Sequence, residues 1–249
     1  MSTASDSEPP ADAGISQDKG LAYWSSISPD DAGVLGGYPH VSRADLRGSA
    51  TFYAKLRRKF PTPGNTSTPT RNGKVARAVD CGAGIGRVTK GFLVNVARVV
   101  DIVEPVKALT DVITTGDEWA SLRSSGSVGD IFNAGLEAWS PPPGRTYELV
   151  WIQWCLGQLT DTQVVGYLER VKGFTVEGGW VVVKENLSTD EQGRDVFDEV
   201  DSSVTRTDAK WRSLFERAEY RVCMAEVQRG LPRELYPVKA YALRPVGWA

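Results

Sequence analysis

An apolar segment, Val75–Cys81, runs directly into a glycine-rich turn, Gly82-Ala83-Gly84-Ile85-Gly86. An apolar run bounded by glycines predicts a buried β-strand. Because glycine lacks a Cβ atom and accepts positive φ, such a turn lets a ligand approach the backbone closely. A helix that starts there adds free N–H donors. The stretch therefore predicts a strand–turn–helix unit with a ligand site at the turn.

Downstream of this turn, apolar strand-like segments alternate with segments of helical periodicity. Strands are predicted at 75–81, 99–103, 127–134, 147–155, 179–184, 220–228 and 238–243, and helices at 85–97, 106–119, 161–175 and 209–218. This alternation predicts an α/β fold with a mainly parallel sheet and helices on both faces. The last two strands are expected to form an antiparallel hairpin. The pattern resembles the Rossmann-like seven-stranded sheet of class I S-adenosylmethionine methyltransferases.

The N-terminal part of the chain differs from the rest in composition. Residues 1–20 contain no Phe, Trp or Tyr and carry four acids against one Lys, which predicts a disordered tail. Residues 21–60 predict a helical extension, with Ser42 as the cap of a helix that runs to Phe60. Residues 61–74 hold three Pro and two Gly and predict a loop. We expect residues 21–249 to form one domain.

Charge and cysteine usage exclude several classes of protein. Lys and Arg number 29 against 31 Asp and Glu, and this balance argues against a dedicated nucleic-acid binder. A single histidine and three distant cysteines, Cys81, Cys155 and Cys223, make a zinc site unexpected and predict free core thiols of an intracellular protein. No apolar run is long enough to span a membrane, and no signal peptide is expected.

Several residues beyond the turn suit a nucleoside ligand. Glu104 follows the second strand and could accept hydrogen bonds from both ribose hydroxyls. Arg87 could pair with a carboxylate, and Leu136-Glu137 could flank an adenine. Gln153-Trp154 end the fourth strand, where ligands of open α/β sheets bind. The GxGxG spacing differs from the GxGxxG of dinucleotide sites, although an NAD-type site and a turn without a ligand both stay open.

Five short segments carry a more specific resemblance. They are Leu35-Gly36-Gly37-Tyr38, the turn Asp80–Arg87, Trp151-Ile152-Gln153-Trp154, Lys184-Glu185-Asn186 and Val200-Asp201-Ser202-Ser203-Val204. Together they resemble the protein N-terminal methyltransferase family, which methylates the α-amino group of proteins that begin Xaa-Pro-Lys or Xaa-Pro-Arg. The resemblance covers residues 21–244.

The resemblance implies a cofactor site and a peptide channel. S-adenosylmethionine, with S-adenosylhomocysteine as its product, would contact Gly82, Arg87, Glu104, Leu136 and Gln153, beside Gly84 and Glu137 of the segments described above. The peptide channel would be lined by Leu35, Gly36, Trp154, Asn186, Asp198, Asp201, Ser203 and Tyr236, and Trp24 would shield the amino terminus. The family often has a histidine where this chain has Gln158, whose amide accepts no proton at neutral pH. The resemblance therefore leaves Asp201 as the expected proton acceptor, with Asn186 and Gln158 beside it. The lone His40 is expected to be structural.

An acidic segment suits a cationic peptide. Residues 190–208 hold seven acids and two bases. If this segment turns helically, the three-residue spacing places Asp198 and Asp201 on one face. Asp198 and Glu199 could then meet the Lys of the substrate, and Asp201 its α-amine.

Two rival functions remain open at the level of the sequence. One is a class I methyltransferase that acts on a small molecule, and the other is a non-catalytic module that binds basic protein tails. For the favoured function, we expect mono-, di- or trimethylated products, ribosomal or other basic proteins as substrates, and no direct contact with nucleic acid or membrane. We also expect a monomer in the cytoplasm and nucleus.

Overall fold

The computed structural model describes residues 9–61 and 73–248. Its strands are β1 Val75–Cys81, β2 Ala97–Val103, β3 Val128–Phe132, β4 Tyr147–Gln153, β5 Thr175–Asn186, β6 Val196–Asp198, β7 Ser203–Thr205, β8 Tyr220–Val227 and β9 Val238–Pro245. Seven of them form one sheet in the order β3-β2-β1-β4-β5-β9-β8. β1 to β5 pair in parallel, and β9 is antiparallel to both β5 and β8. The predicted seven-stranded sheet with a terminal antiparallel pair is confirmed.

Helices cover both faces of this sheet. They are α1 Gln17–Ser26, α2 Asp31–Val34, α3 Ser42–Lys59, α4 Val94–Val96, α5 Lys107–Thr115, α6 Ala120–Ser124, α7 Asp161–Lys172 and α8 Asp208–Arg217. A π-helical turn, Thr89–Leu93, leads into α4. A capping box at Thr160 starts α7. Within the described ranges, no helix combines the length and the apolar character that crossing a membrane requires.

The core consists of apolar layers on the two faces of the sheet. On one face, Tyr167 of α7 and Trp211 of α8 belong to a cluster with β1, β4 and β5. On the other face, α3 contributes Phe52, which clusters with Phe92 and Trp151. The ring centroids of Phe92 and Trp151 lie 4.8 Å apart, and Trp151 is wholly buried. This packing fixes α3 over β4 and β5, below the carboxyl ends of the strands.

The N-terminal segment is ordered earlier than predicted. Residues 11–14 form a 3-10 turn, and Ser16 caps α1. The backbone N–H of Ser16 donates to Ser202 Oγ at 2.8 Å, and that of Asp161 donates to Asp12 Oδ2 at 2.8 Å. The expectation of disorder is therefore wrong for residues 11–20, because contacts with distant segments replace the missing apolar side chains. Residues 1–8 lie outside the described residues.

Two further predictions differ from the structure. Ser42 is the first helical residue of α3 and makes no capping bond, while Val41 takes the N-cap position. Residues 196–205 form the hairpin β6–β7 rather than a helical turn, with Asp198 ending β6 and Ser203 opening β7. Residues 62–72 of the predicted loop lie outside the described residues.

Candidate active site

A cavity of about 490 Å³ opens at the carboxyl ends of β1, β2 and β4. All seven residues predicted to contact the cofactor line it: Gly82, Gly84, Arg87, Glu104, Leu136, Glu137 and Gln153. Three of the residues predicted for the substrate or for catalysis also line it, namely Trp24, Trp154 and Gln158. Its volume falls within the range of about 300–1,000 Å³ that is usual for small-molecule sites.

The glycine turn serves packing and access at different positions. Gly82, Gly84 and Gly86 all have positive φ, at 67°, 56° and 76°. A Cβ atom at Gly82 would meet Cys155 Cβ at 2.3 Å, and one at Gly86 would meet Trp119 at 2.6 Å. At Gly84 the nearest atom would be Val34 Cγ1 at 3.5 Å. Gly84 is therefore the glycine whose missing side chain leaves the turn accessible from the cavity.

Glu104 connects the turn to the next strand. Its Oε2 accepts from the N–H of Gly84 and its Oε1 from the N–H of Val106, each at 2.9 Å. Burial raises the pKa of this carboxyl despite the two backbone donors. Each carboxylate oxygen keeps a free lone pair, so Glu104 can accept further donors from a ligand in the cavity.

Trp154 is held in a conformation that non-glycine residues rarely adopt. Its φ is 55°, and its N–H donates to the carbonyl of Lys184 at 3.1 Å. The next turn is fixed by Glu185, whose Oε1 accepts from the N–H groups of Cys155 at 2.9 Å and Leu156 at 3.0 Å. Burial raises the pKa of Glu185 to about 7. This positive φ is a strained backbone state maintained by surrounding contacts, and it sets the direction of the indole.

Gln158 links the N-terminal helix to the acidic hairpin. The indole N–H of Trp24 is a donor only, so the amide oxygen of Gln158 must face it, at 3.2 Å. The amide nitrogen then donates to the backbone oxygen of Asp201 at 3.0 Å. The opposite orientation places that nitrogen 3.3 Å from Asp201 Oδ2 but turns a donor toward the indole, so we assign the first.

Asp201 is a half-buried carboxylate beside Gln158. Its Oδ1 accepts from Ser203 Oγ at 2.6 Å and from Ser203 N at 3.1 Å. Burial raises the pKa of Asp201, and so does the charge of Asp198, while the bonds from Ser203 oppose the shift. A carboxylate with a raised pKa is a better proton acceptor than an exposed one. Asp198 and Glu199 are exposed at the tip of the hairpin.

The other predicted residues do not line this cavity. Leu35 and Gly36 follow α2, where Gly36 is exposed with φ 57°. Asn186 ends β5, and Tyr236 is 38% exposed in the loop before β9. His40 is exposed and its ring lies 5.9 Å from that of Tyr38. The structure thus groups the residues predicted for the cofactor in one cavity and spreads the residues predicted for the peptide around it.

Sequence reasoning missed the contribution of the N-terminal helix. Gln17, Asp18, Gly20 and Leu21 of α1 line the cavity, as do Val34, Asn133 and Cys155. The weak apolar character of residues 11–20 gave no signal for this role. Sequence reasoning also missed Asp45 of α3. A charged residue among the apolar positions of a helix indicates a buried polar contact and could have identified it. It forms an ion pair with Arg87 at 2.7 Å.

The donor and acceptor groups of the cavity fit a zwitterionic nucleoside. Arg87 Nη1 and Trp154 Nε1 are buried and have no hydrogen-bond partner among the described residues. Glu104 supplies acceptors, and Val106, Leu109 and Leu136 supply apolar walls. The three cysteines are free, and no cluster of potential metal ligands occurs in the described part of the chain.

Comparison with known proteins gives consistent matches over most of the chain. Residues 12–244 match the profile of the AdoMet-dependent proline di-methyltransferases. The chain is 39% identical to the alpha N-terminal protein methyltransferase 1 of Schizosaccharomyces pombe, over 90% of this chain and 94% of that one. It is 37% identical to the mouse N-terminal Xaa-Pro-Lys N-methyltransferase 1, over 91% and 94%. A solved S-adenosylmethionine-dependent methyltransferase from Leishmania major superposes with a TM-score of 0.75 at 35% identity, covering 92% of this chain and 82% of that one.

Proposed function

Because this chain belongs to the family of AdoMet-dependent proline di-methyltransferases, we propose that it methylates the α-amino group of proteins that begin Xaa-Pro-Lys or Xaa-Pro-Arg. The cofactor is S-adenosylmethionine, which supplies an electrophilic methyl group on a sulfonium. The observation that carries the proposal is the connection of the cofactor cavity to the acidic hairpin through Gln158. Successive transfers would give mono-, di- or trimethylated termini.

The residues around the turn would hold the cofactor by its two polar ends. Glu104 would accept from the ribose hydroxyls, and Arg87 would pair with the carboxylate of the methionine moiety. Gln153 would add a polar contact on the β4 side, while Leu136 and Glu137 would flank the adenine. The geometry of Arg87 supports this assignment: its buried Nη1 forms an ion pair with Asp45 without hydrogen-bond geometry, so the guanidinium still has donors for a ligand carboxylate.

The α-amine must lose its proton before it can attack. A free α-amine has a pKa of about 7.7–8.0, so a sizeable fraction is neutral near pH 7. The Asp201 carboxylate can take the proton, and its raised pKa assists this role. Gln158 orients Asp201 and Trp24 through its amide, and Asn186 would help to hold the amine. Most of the rate then comes from positioning the amine rather than from strong general-base catalysis.

The acidic hairpin supports a preference for a cation at the third position. Asp198 and Glu199 are both exposed at its tip and can meet the side chain of Lys or Arg. Proline at the second position has no N–H and a fixed φ, so an extended peptide enters without an unpaired donor there. Ser203 on β7, Tyr236, Leu35, Gly36 and Trp154 would line the rest of the channel.

We extend the proposal to the cellular setting of the reaction. The acidic hairpin suits basic substrates such as ribosomal proteins, which we propose as partners. We also propose that the enzyme acts as a monomer in the cytoplasm and nucleus. Size-exclusion chromatography with light scattering and localisation of a tagged chain test these two statements.

A peptide assay tests the function directly. The protein is incubated with S-adenosylmethionine and either Ser-Pro-Lys-containing peptide or its N-acetylated copy, and the products are weighed. We expect stepwise addition of methyl groups to the free peptide alone. Methylation of both peptides would contradict an α-amine acceptor. Cofactor binding without methylation of either would favour a different substrate class.

A further inference from the structure

Asp45 lies at the centre of a buried polar cluster between α3 and the sheet. Its side chain is wholly buried. Its carboxylate accepts from Gln153 Nε2 at 3.0 and 2.9 Å, pairs with Arg87 Nη1 at 2.7 Å and bonds Lys184 Nζ. Although burial favours the neutral acid, the charges of Lys184 and Arg87 outweigh it and lower the pKa of Asp45. The carboxylate is therefore charged and shared by three donors.

The partners of Asp45 divide into two groups. Arg87 and Gln153 line the cofactor cavity, whereas Asp45 itself does not. Lys184 lies away from the cavity and bonds Ser49 Oγ at 2.8 Å and the Asp45 carbonyl at 3.2 Å. One carboxylate of the N-terminal extension thus contacts two polar side chains of the cavity lining, Arg87 and Gln153, although Asp45 does not line the cavity itself.

Charged groups surround Arg87 on more than one side. Arg87 and Lys184 both pair with Asp45, and burial lowers the pKa of Lys184. The buried carboxyl of Asp80, whose pKa burial raises to about 7, also interacts with Arg87. The Arg87 side chain is 9% exposed, and the contact of its Nη1 with Asp45 is an ion pair without hydrogen-bond geometry. A buried guanidinium held on one side still has donors for an anion on the other. A ligand carboxylate could pair with these remaining N–H groups.

We propose that Asp45 is a positioning residue for the cofactor. Because Asp45 contacts both Arg87 and Gln153, it fixes the positions of the side chains that would bind the carboxylate end of the methionine moiety. This inference rests on the proposed function for the identity of the ligand. It also gives α3 a role in cofactor affinity, because the helix that carries Asp45 belongs to the N-terminal extension and not to the sheet.

Binding of S-adenosylhomocysteine to three variants tests the proposal. Calorimetry would give the Kd for the wild type, Asp45→Asn, Lys184→Met and Ser49→Ala, with the Tm of each recorded. We expect Asp45→Asn to raise the Kd about tenfold or more, since the contacts with Arg87 and Gln153 lose the negative charge and one of two acceptor oxygens. Lys184→Met breaks the same buried ion pair but leaves Asp45 on Arg87 and Gln153. Lys184→Met should lower the Tm while changing the Kd less than about threefold. Ser49→Ala should also change the Kd less than about threefold.

The kinetic pattern and a double variant separate positioning from a purely structural role. When S-adenosylmethionine is varied at saturating peptide, Asp45→Asn should alter kcat less than it alters the KM for S-adenosylmethionine. In Asp45→Asn the buried ammonium of Lys184 loses its anionic partner. The double variant Asp45→Asn/Lys184→Met removes that ammonium, so its Tm should be higher than that of Asp45→Asn while its Kd stays raised.

Three results would overturn the inference. The first is an unchanged Kd in Asp45→Asn, and the second is an equal rise of the Kd in Asp45→Asn and Lys184→Met. The third is a lower Kd in Asp45→Asn, which would result if removing the negative charge only strengthened the attraction of Arg87 for the ligand. If the wild type binds no S-adenosylhomocysteine, the proposed function itself fails, and this inference fails with it.

Discussion

At the scale of single residues, the proposed chemistry depends on two neighbouring side chains, Asp201 of the β6–β7 turn and Gln158 after β4. Asp201 is half-buried, and its Oδ1 accepts from Ser203. The amide of Gln158 connects the backbone oxygen of Asp201 to the indole of Trp24. A glutamine in the bridging position orients its neighbours but takes no proton. In the proposed mechanism the proton acceptor is therefore Asp201, a carboxylate that does not line the cofactor cavity.

Replacement of Asp201 by Asn tests this division. The amide keeps the size of the side chain but accepts no proton and offers one acceptor oxygen in place of two. We expect kcat to fall by about 100-fold, within the range of lost general-base catalysis. The Kd for S-adenosylhomocysteine should stay within about twofold. Unchanged turnover would remove Asp201 from the mechanism.

Some of these residues could be predicted from short segments and others could not. The residues predicted to bind the cofactor end or follow the parallel strands, where the topology brings them together, and all seven line one cavity. Glu185 and Asp45 act through buried contacts with residues about thirty to 140 positions away, and no local pattern reveals such partners. The roles of the predicted residues toward cofactor and peptide stay predictions until the binding experiments are done.

At the scale of elements, the position of α1 beside the cavity is the feature that the sequence does not predict. Its hydrophobic content is low, and its position depends on Ser16, Gln17 and Gly20. Gln17 Nε2 donates to the carbonyl of Gln158 at 3.0 Å. The strands of the sheet, by contrast, carry their own apolar pattern, and β1 begins and ends where it was predicted. The hairpin β6–β7 was missed because two three-residue strands leave no detectable periodicity.

Gly20 gives a test of how closely α1 must approach the site. A Cβ atom there would lie 2.5 Å from the amide end of Gln158 and 3.3 Å from the carbonyl of Asp201. Gly20→Ala should therefore displace Gln158 or the helix and lower kcat/KM for the peptide about tenfold. Steady-state kinetics at saturating S-adenosylmethionine measures this.

Gly166 of α7 is the matched control for that substitution. It is also a helical glycine, but its Cβ would meet only Arg170 Nη1 at 3.8 Å. Gly166→Ala should leave kcat/KM unchanged and raise stability slightly, because alanine is the better helix former. Equal activity of the two variants would show that α1 does not constrain Gln158.

At the scale of the whole molecule, buried carboxyls tie stability to pH. Burial raises the pKa of Glu185 and of Asp80 to about 7 each. In the unfolded chain such groups lose their proton near pH 4, so the folded protein binds more protons between about pH 4 and 7. The stability that these two carboxyls contribute is fully present below the unfolded pKa and is lost as the pH rises through 7. The free energy of unfolding then falls by at most about 1.4 kcal/mol per pH unit for each group.

Glu185→Gln should flatten this dependence. A Gln oxygen can still accept from Cys155 and Leu156, as Oε1 does now, but the side chain no longer titrates. Urea unfolding at several pH values from 5 to 8 would show a smaller loss of stability with pH than in the wild type. Glu177→Gln, at an exposed position, is the control and should keep the wild-type slope. A steeper slope in Glu185→Gln would contradict the assignment.

The central claim is that the cavity and the hairpin together select an α-amine. A Ser-Pro-Lys peptide offers two amines, one at its terminus and one on the lysine side chain. Tandem mass spectrometry of the product locates every methyl group on one or the other. We predict methylation of the terminal nitrogen alone, with the lysine held unmodified at Asp198 and Glu199. Methyl groups on the lysine side chain would contradict the account.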